Sequence, residues 1–144
     1  MNVSGVNSGW RHWQCNPLSN NWARKPRPYE RGTMQNFTDV KLEIFVPQDH
    51  ALNIRDELAK IGVGVIGNYD HCVALTPVRG FFRPTEGANP FEGKVGEISE
   101  VAEYKLEVNC KRELVNEAIK TIRKVHPYEE PLINIFPLVN HLFG

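Results

Sequence analysis

The sequence predicts an α+β fold, an antiparallel sheet with two helices on one face, and three observations carry that expectation. Residues 40–46 and 97–110 alternate apolar and polar side chains at a period of two, as strands with one buried face do. Residues 48–61 and 111–125, which follow them, place apolar side chains at helical spacing instead. A chain of 144 residues is long enough to bury one core without a metal or disulfide to staple it.

The elements follow in order. Val40, Leu42, Ile44 and Val46 alternate with Lys41, Glu43 and Phe45, and Pro47 closes that first strand. Ala51, Ile54, Leu58 and Ile61 then form one helical stripe, with Asp49 as the expected N-cap and Gly62 as the stop. Apolar Val73-Ala74-Leu75 reads as a strand, and Thr76 to Phe82 as an added hairpin. Pro84, Gly87, Pro90, Gly93 and Gly96 mark a loop over 84–96. In the second alternation Tyr104, Leu106, Val108 and Cys110 take one face, and Glu103, Lys105, Glu107 and Asn109 the other. Val115, Ala118, Ile119, Ile122 and Val125 form the second helical stripe, His126-Pro127 ends it, and 132–136 is a final short strand. The order β-α-β, hairpin, β-α-β is a split βαβ repeat, the ferredoxin-like sandwich.

Residues 1–36 stand apart. They are rich in Asn, Ser, Gly and Pro and lack periodicity, which predicts a disordered tail before a domain over 37–144. Five basic residues against Glu30 give 1–33 a net +4 and leave −4 for the rest, since seventeen basic and seventeen acidic residues cancel overall. Met34 is an alternative natural start, and Trp10, Trp13 and Trp22 are candidates for docking a protein partner. The overall neutrality argues against nucleic acid as a partner. No apolar run reaches the roughly 18 residues of a membrane helix, and the N-terminus lacks the apolar core of an export signal. Three scattered cysteines, Cys15, Cys72 and Cys110, argue against a disulfide framework or a thiolate zinc site. A cytoplasmic location is expected. The glycines at 62, 64 and 67 follow a helix and match no phosphate-loop spacing.

Two polar clusters hold the chemistry. His126-Pro127-Tyr128-Glu129-Glu130-Pro131 gathers an imidazole, a phenol and two carboxylates between prolines that limit its conformations. Asn68-Tyr69-Asp70-His71-Cys72 precedes a strand. If the two clusters meet, His71, His126, Glu129 and Glu130 could hold a divalent ion, because imidazole with carboxylate suits zinc, nickel or manganese. The alternative is that both histidines bond backbone groups and fix the turns while the carboxylates stay solvated. Cys72 reads as an inert strand thiol before an activated one, and Cys110 as core.

With Gly80-Phe81-Phe82-Arg83-Pro84 and Gly87-Ala88-Asn89-Pro90-Phe91 added between them, these motifs fall in an order that closely resembles the domain inserted into bacterial NIF-three-like proteins, over residues 39–138. That domain is similar to PII signalling proteins and CutA, whose fold and trimeric assembly the resemblance implies here. The outer lobes of the family, with their dinuclear metal centre and hydrolase or cyclohydrolase activity, have no counterpart in this sequence. The resemblance therefore implies an inserted domain living alone: a non-enzymatic regulatory module that binds a small ligand or divalent metal and assembles as a homo-oligomer, a trimer before a dimer. Asn68, Tyr69, Phe81, Phe82, Arg83, Asn89 and Tyr128 are its expected ligand or interface residues. A small metal-dependent hydrolase using His71, His126 and Glu129, and a protein-interaction scaffold, are the rival readings.

Overall fold

The computed structural model describes residues 37–143. The expected tail over 1–36, its tryptophans and the alternative start at Met34 lie outside the described residues. Four strands, β1 (Asp39–Pro47), β2 (Val73–Phe82), β3 (Ser99–Lys111) and β4 (Ile133–Leu138), form one antiparallel sheet in the order β2-β3-β1-β4. Two helices, α1 (Ala51–Lys60) and α2 (Val115–Val125), complete the ferredoxin-like α+β arrangement.

The alternation in β1 decides where the core sits. Val40, Leu42, Ile44 and Val46 are buried and meet Leu106, Val108 and Cys110 of β3 across the sheet. Ala51, Ile54 and Leu58 of α1 and Ala118 and Ile122 of α2 belong to the same cluster, so both helices cover one face. The other face carries a half-buried grid of charge: Lys41 pairs with Glu107 at 3.2 Å, and Lys105 with Glu43 at 3.3 Å.

Gly62 ends α1 as its residue type predicts. It takes a φ of 83°, and the N–H groups of Gly62 and Val63 return to the carbonyls of Ala59 and Leu58, closing a Schellman motif. The expected cap at Asp49 does not form: Asp49 lies in a 3-10 turn (Gln48–His50), and α1 begins after His50 with no side-chain cap. The hairpin expected over 76–82 takes a different form. Residues 73–82 are one strand paired with β3 from Val73 opposite Val108 to Phe82 opposite Ser99. Pro77 does not break it because β2 is an edge strand, where a missing N–H can face away from the ladder. Since β1 ends opposite Glu103, the distal residues 79–82 and 99–102 pair only with each other. The hairpin is thus a two-stranded arm projecting beyond β1, closed by the loop over 83–98.

Candidate functional site: the junction of Tyr128 and Glu103

Among the described residues the buried polar or charged side chains are His126, 7% exposed, and Glu103, 6% exposed. Both lie where the segment after α2 meets the base of the arm. Pro127 forces the chain out of helical geometry, and His126 leaves α2 extended, with φ −75° and ψ 133°. Its ring turns inward. Nε2 donates to the carbonyl of Phe45 at 2.9 Å, and Nδ1 accepts the backbone N–H of Tyr128 at 3.1 Å. That pair of bonds defines a neutral imidazole protonated on Nε2. Burial pushes its pKa below the ordinary histidine value; the Phe45 carbonyl opposes this and His50 adds to it. Phe45 also donates its N–H to the carbonyl of Leu132 at 3.2 Å, so one residue of β1 anchors both ends of the segment.

Tyr128 then reaches the arm. Its hydroxyl donates to Oε1 of Glu103 at 2.8 Å, and burial, reinforced by the Glu103 carboxylate, holds the phenol well above its ordinary pKa. Its ring lies 6.4 Å from Phe82 and 6.2 Å from Phe91, centroid to centroid. Phe91 in turn meets the His50 ring edge-on at 5.8 Å. Oε2 of Glu129 accepts the N–H of Asn89 at 3.0 Å, tying the loop over 83–98 to the same segment. Gly80 makes room for the carboxylate: a Cβ there would stand 2.8 Å from Cδ of Glu103 and nearer still to Oε2.

The sequence-predicted residues thus divide. His126, Tyr128, Glu129, Phe82 and Asn89 come together at this junction. Glu130 and Arg83 are exposed beside it in the chain, and Phe81, 61% exposed, sits under the Arg79 guanidinium. Asn68 and Tyr69 belong to a tight turn bridged between Ile66 and Tyr69. His71 adopts a left-handed φ of 54° and holds its Nδ1 3.0 Å from Asp70, with Nε2 4.0 Å from Asp56 of α1. The metal set expected from His71, His126, Glu129 and Glu130 is not gathered: among the described residues no group of three His, Cys, Asp or Glu side chains could hold an ion. The physical reason is that both nitrogens of His126 are committed to backbone groups, while His71 is held by carboxylates of its own loop and of α1.

Glu103, Gly80, His50 and Phe91 were not singled out in the sequence as parts of a site. Glu103 carries no local signal, because it reads as one more solvent-facing member of the run with Lys105 and Glu107. Cys110 is core, its thiol pushed up to about 11 by burial. Two concavities of about 260 and 290 Å³ lie toward the opposite end of the sheet, around Ile66 and Asn109.

An antiparallel sheet in this order, with two helices on one face and a projecting arm, is the ferredoxin-like fold that CutA proteins share. CutA from Nostoc superposes with a TM-score of 0.53 over 74% of this chain and 86% of its own, at 21% identity, a likeness of fold. No family model matches the chain. The sequence relationship is with larger proteins: it is 41% identical over 100 residues, 69% of this chain, to a GTP cyclohydrolase 1 type 2 homolog of Halalkalibacterium halodurans. A Bacillus cereus protein related to NIF3 superposes with a TM-score of 0.63 over 72% of the chain at 35% identity. Through that one domain the chain is related in sequence to NIF3-like proteins, and it spans about a quarter of the length of these relatives, 27% and 26%.

Proposed function

We propose that the chain is a non-enzymatic, homo-oligomeric PII/CutA-like module with a regulatory role, binding a small ligand at the clefts its assembly creates. The observation that carries this reading is the one-sided sheet. Helices cover one face only, while the edge strands β2 and β4 bear exposed Phe81, Ile135 and Phe136. Open edges with exposed apolar side chains are templates for a further strand, and soluble proteins cover them. A second copy of the chain is the cover we favour, a trimer before a dimer. Two free thiols among the described residues, one of them half-buried Cys72, suit a cytoplasmic setting, and no described helix is long and apolar enough to cross a membrane.

Light scattering on the purified full chain tests the assembly: a mass three times the 16.4 kDa of one chain is expected, and a monomer at micromolar concentration would sink the proposal.

A further inference from the structure

The buried ring of His126 is the first link in a chain of contacts that ends at the loop over 83–98. Its Nε2 is fixed to the carbonyl of Phe45 in β1, and its Nδ1 accepts the N–H of Tyr128. Tyr128 then holds Glu103 at the base of the arm, and its ring meets Phe82 and Phe91. Glu129, the next residue, holds the loop through the N–H of Asn89. Both attachments follow directly in the chain from a bond that exists only while Nδ1 carries no proton.

Proton uptake turns Nδ1 into a donor aimed at another donor, so the bond to Tyr128 gives way to repulsion. The charged ring would also be poorly held. The Phe45 carbonyl favours the charge, but burial opposes it, as does His50 of the 3-10 turn before α1. On its own element, Arg123 and Lys124 in the last turn of α2 are of like charge. Of the carboxylates near the junction, Glu103 is bonded to the Tyr128 hydroxyl, Glu92 acts on the Tyr128 phenol, and Glu129 is engaged with Asn89. Among the described residues, the histidine with carboxylate partners is His71, not His126. A buried cation without a counter-charge gains by reaching water. We propose that His126 is an acid-operated latch: on taking up a proton its ring leaves the interior, residues 127–131 detach, and the loop over 83–98 comes free of the base of the arm, uncovering the Phe82 and Phe91 rings. The device lies within one chain and does not depend on how many copies assemble.

The test follows amide hydrogen exchange by NMR on the full chain from neutral to mildly acidic pH, corrected for the intrinsic pH dependence of exchange. Tyr128 reports the latch and Asn89 the loop, while Leu106, paired with Ile44 inside the sheet, reports global opening. Protection at Tyr128 and Asn89 should fall with acid, approaching about tenfold per pH unit below 6.5, the limit for an opening linked to one proton. Leu106 stays protected over the same interval. His126→Gln, whose side-chain amide can donate to Phe45 and accept from Tyr128 without titrating, removes the dependence. Glu129→Ala, at an exposed position, abolishes the protection of Asn89 at every pH and leaves the response of Tyr128 intact, so the latch can be read even if His126→Gln fails to fold. The proposal is overturned if Tyr128 and Asn89 keep their protection in acid, if they lose it equally in His126→Gln, or if Leu106 loses it in step with them.

Discussion

The two ends of β3 are built on opposite principles. From Leu106 to Cys110 the even-numbered residues are buried, and they face an apolar layer of two helices. At Val101 and Glu103 the odd-numbered residues are buried instead, although the pairing with β2 continues without a bulge. Burial changes sides because the cover changes. The helices lie over the shared sheet; at the base of the arm Tyr128 takes over, and the loop over 83–98 is tied to the same segment through Asn89 on Glu129 and Phe91 on Tyr128. Strand periodicity reports which face is covered only while one layer does the covering. Where the cover crosses over, an acidic residue of the outward-facing row becomes one of the most buried charged groups in the domain.

Leu106→Ala at the helix-covered end should have the largest effect. Leu106 is fully buried in the central cluster, and truncation there costs about 2–5 kcal/mol in unfolding free energy. Urea denaturation followed by circular dichroism measures it. A loss well below that range would mean that the helical layer is looser than its burial implies.

Gly80→Ala addresses the other end and should cost about 1–3 kcal/mol, by an overpacking mechanism. The added methyl meets the Glu103 carboxylate at its Cδ and Oε2, and also Cγ2 of Val101 at 3.2 Å. A free glutamate could swing aside at little cost, but this one is held by the Tyr128 hydroxyl. Tyr128→Phe should cost less, about 1–2 kcal/mol, by removing the hydroxyl that donates to the Glu103 carboxylate. The two substitutions act on one contact, so the double variant should lose less than the sum of the singles. Strict additivity in a double-mutant cycle would separate Gly80 from the Tyr128–Glu103 bond and dissolve the junction as a unit.

The same contrast explains what the sequence disclosed. The helix-covered end was readable because local spacing and tertiary cover agree there: Val40 to Val46, Ala51, Ile54 and Leu58 are buried as their periods predict. Gly62 stops α1 because a residue without Cβ enters the left-handed region freely. Of the site, His126-Pro127-Tyr128-Glu129 stood out by composition, but its partners did not. Glu103 is identical in pattern to exposed Glu residues, and its burial depends on Tyr128, 25 residues away in the chain. The single strand over 73–82 was not readable either, since whether a strand can run through a proline such as Pro77 depends on whether it is an edge, a property of topology. Asp49 has the right chemistry for a cap and fails because a 3-10 turn occupies the position before α1.

The smallest expected effect is also the one that tests whether His126 is a structural link between the two ends. Burial depresses its pKa, and both ring nitrogens serve the neutral form: Nδ1 must accept from the Tyr128 N–H, which an imidazolium cannot do. The unfolded chain, with this histidine near its ordinary value of 6.5, therefore binds a proton more readily than the folded one. Its contribution to stability is complete above that value and declines as the pH falls below 6.5 toward the depressed folded value. The unfolding free energy of the wild type should fall over that acid interval more steeply than that of His126→Gln, in which no group titrates at this position. Urea unfolding at a series of pH values from neutral to mildly acidic gives the two slopes. Equal slopes would mean that His126 titrates as it does in solvent, and the tie between β1, Tyr128 and the arm would then not run through its ring.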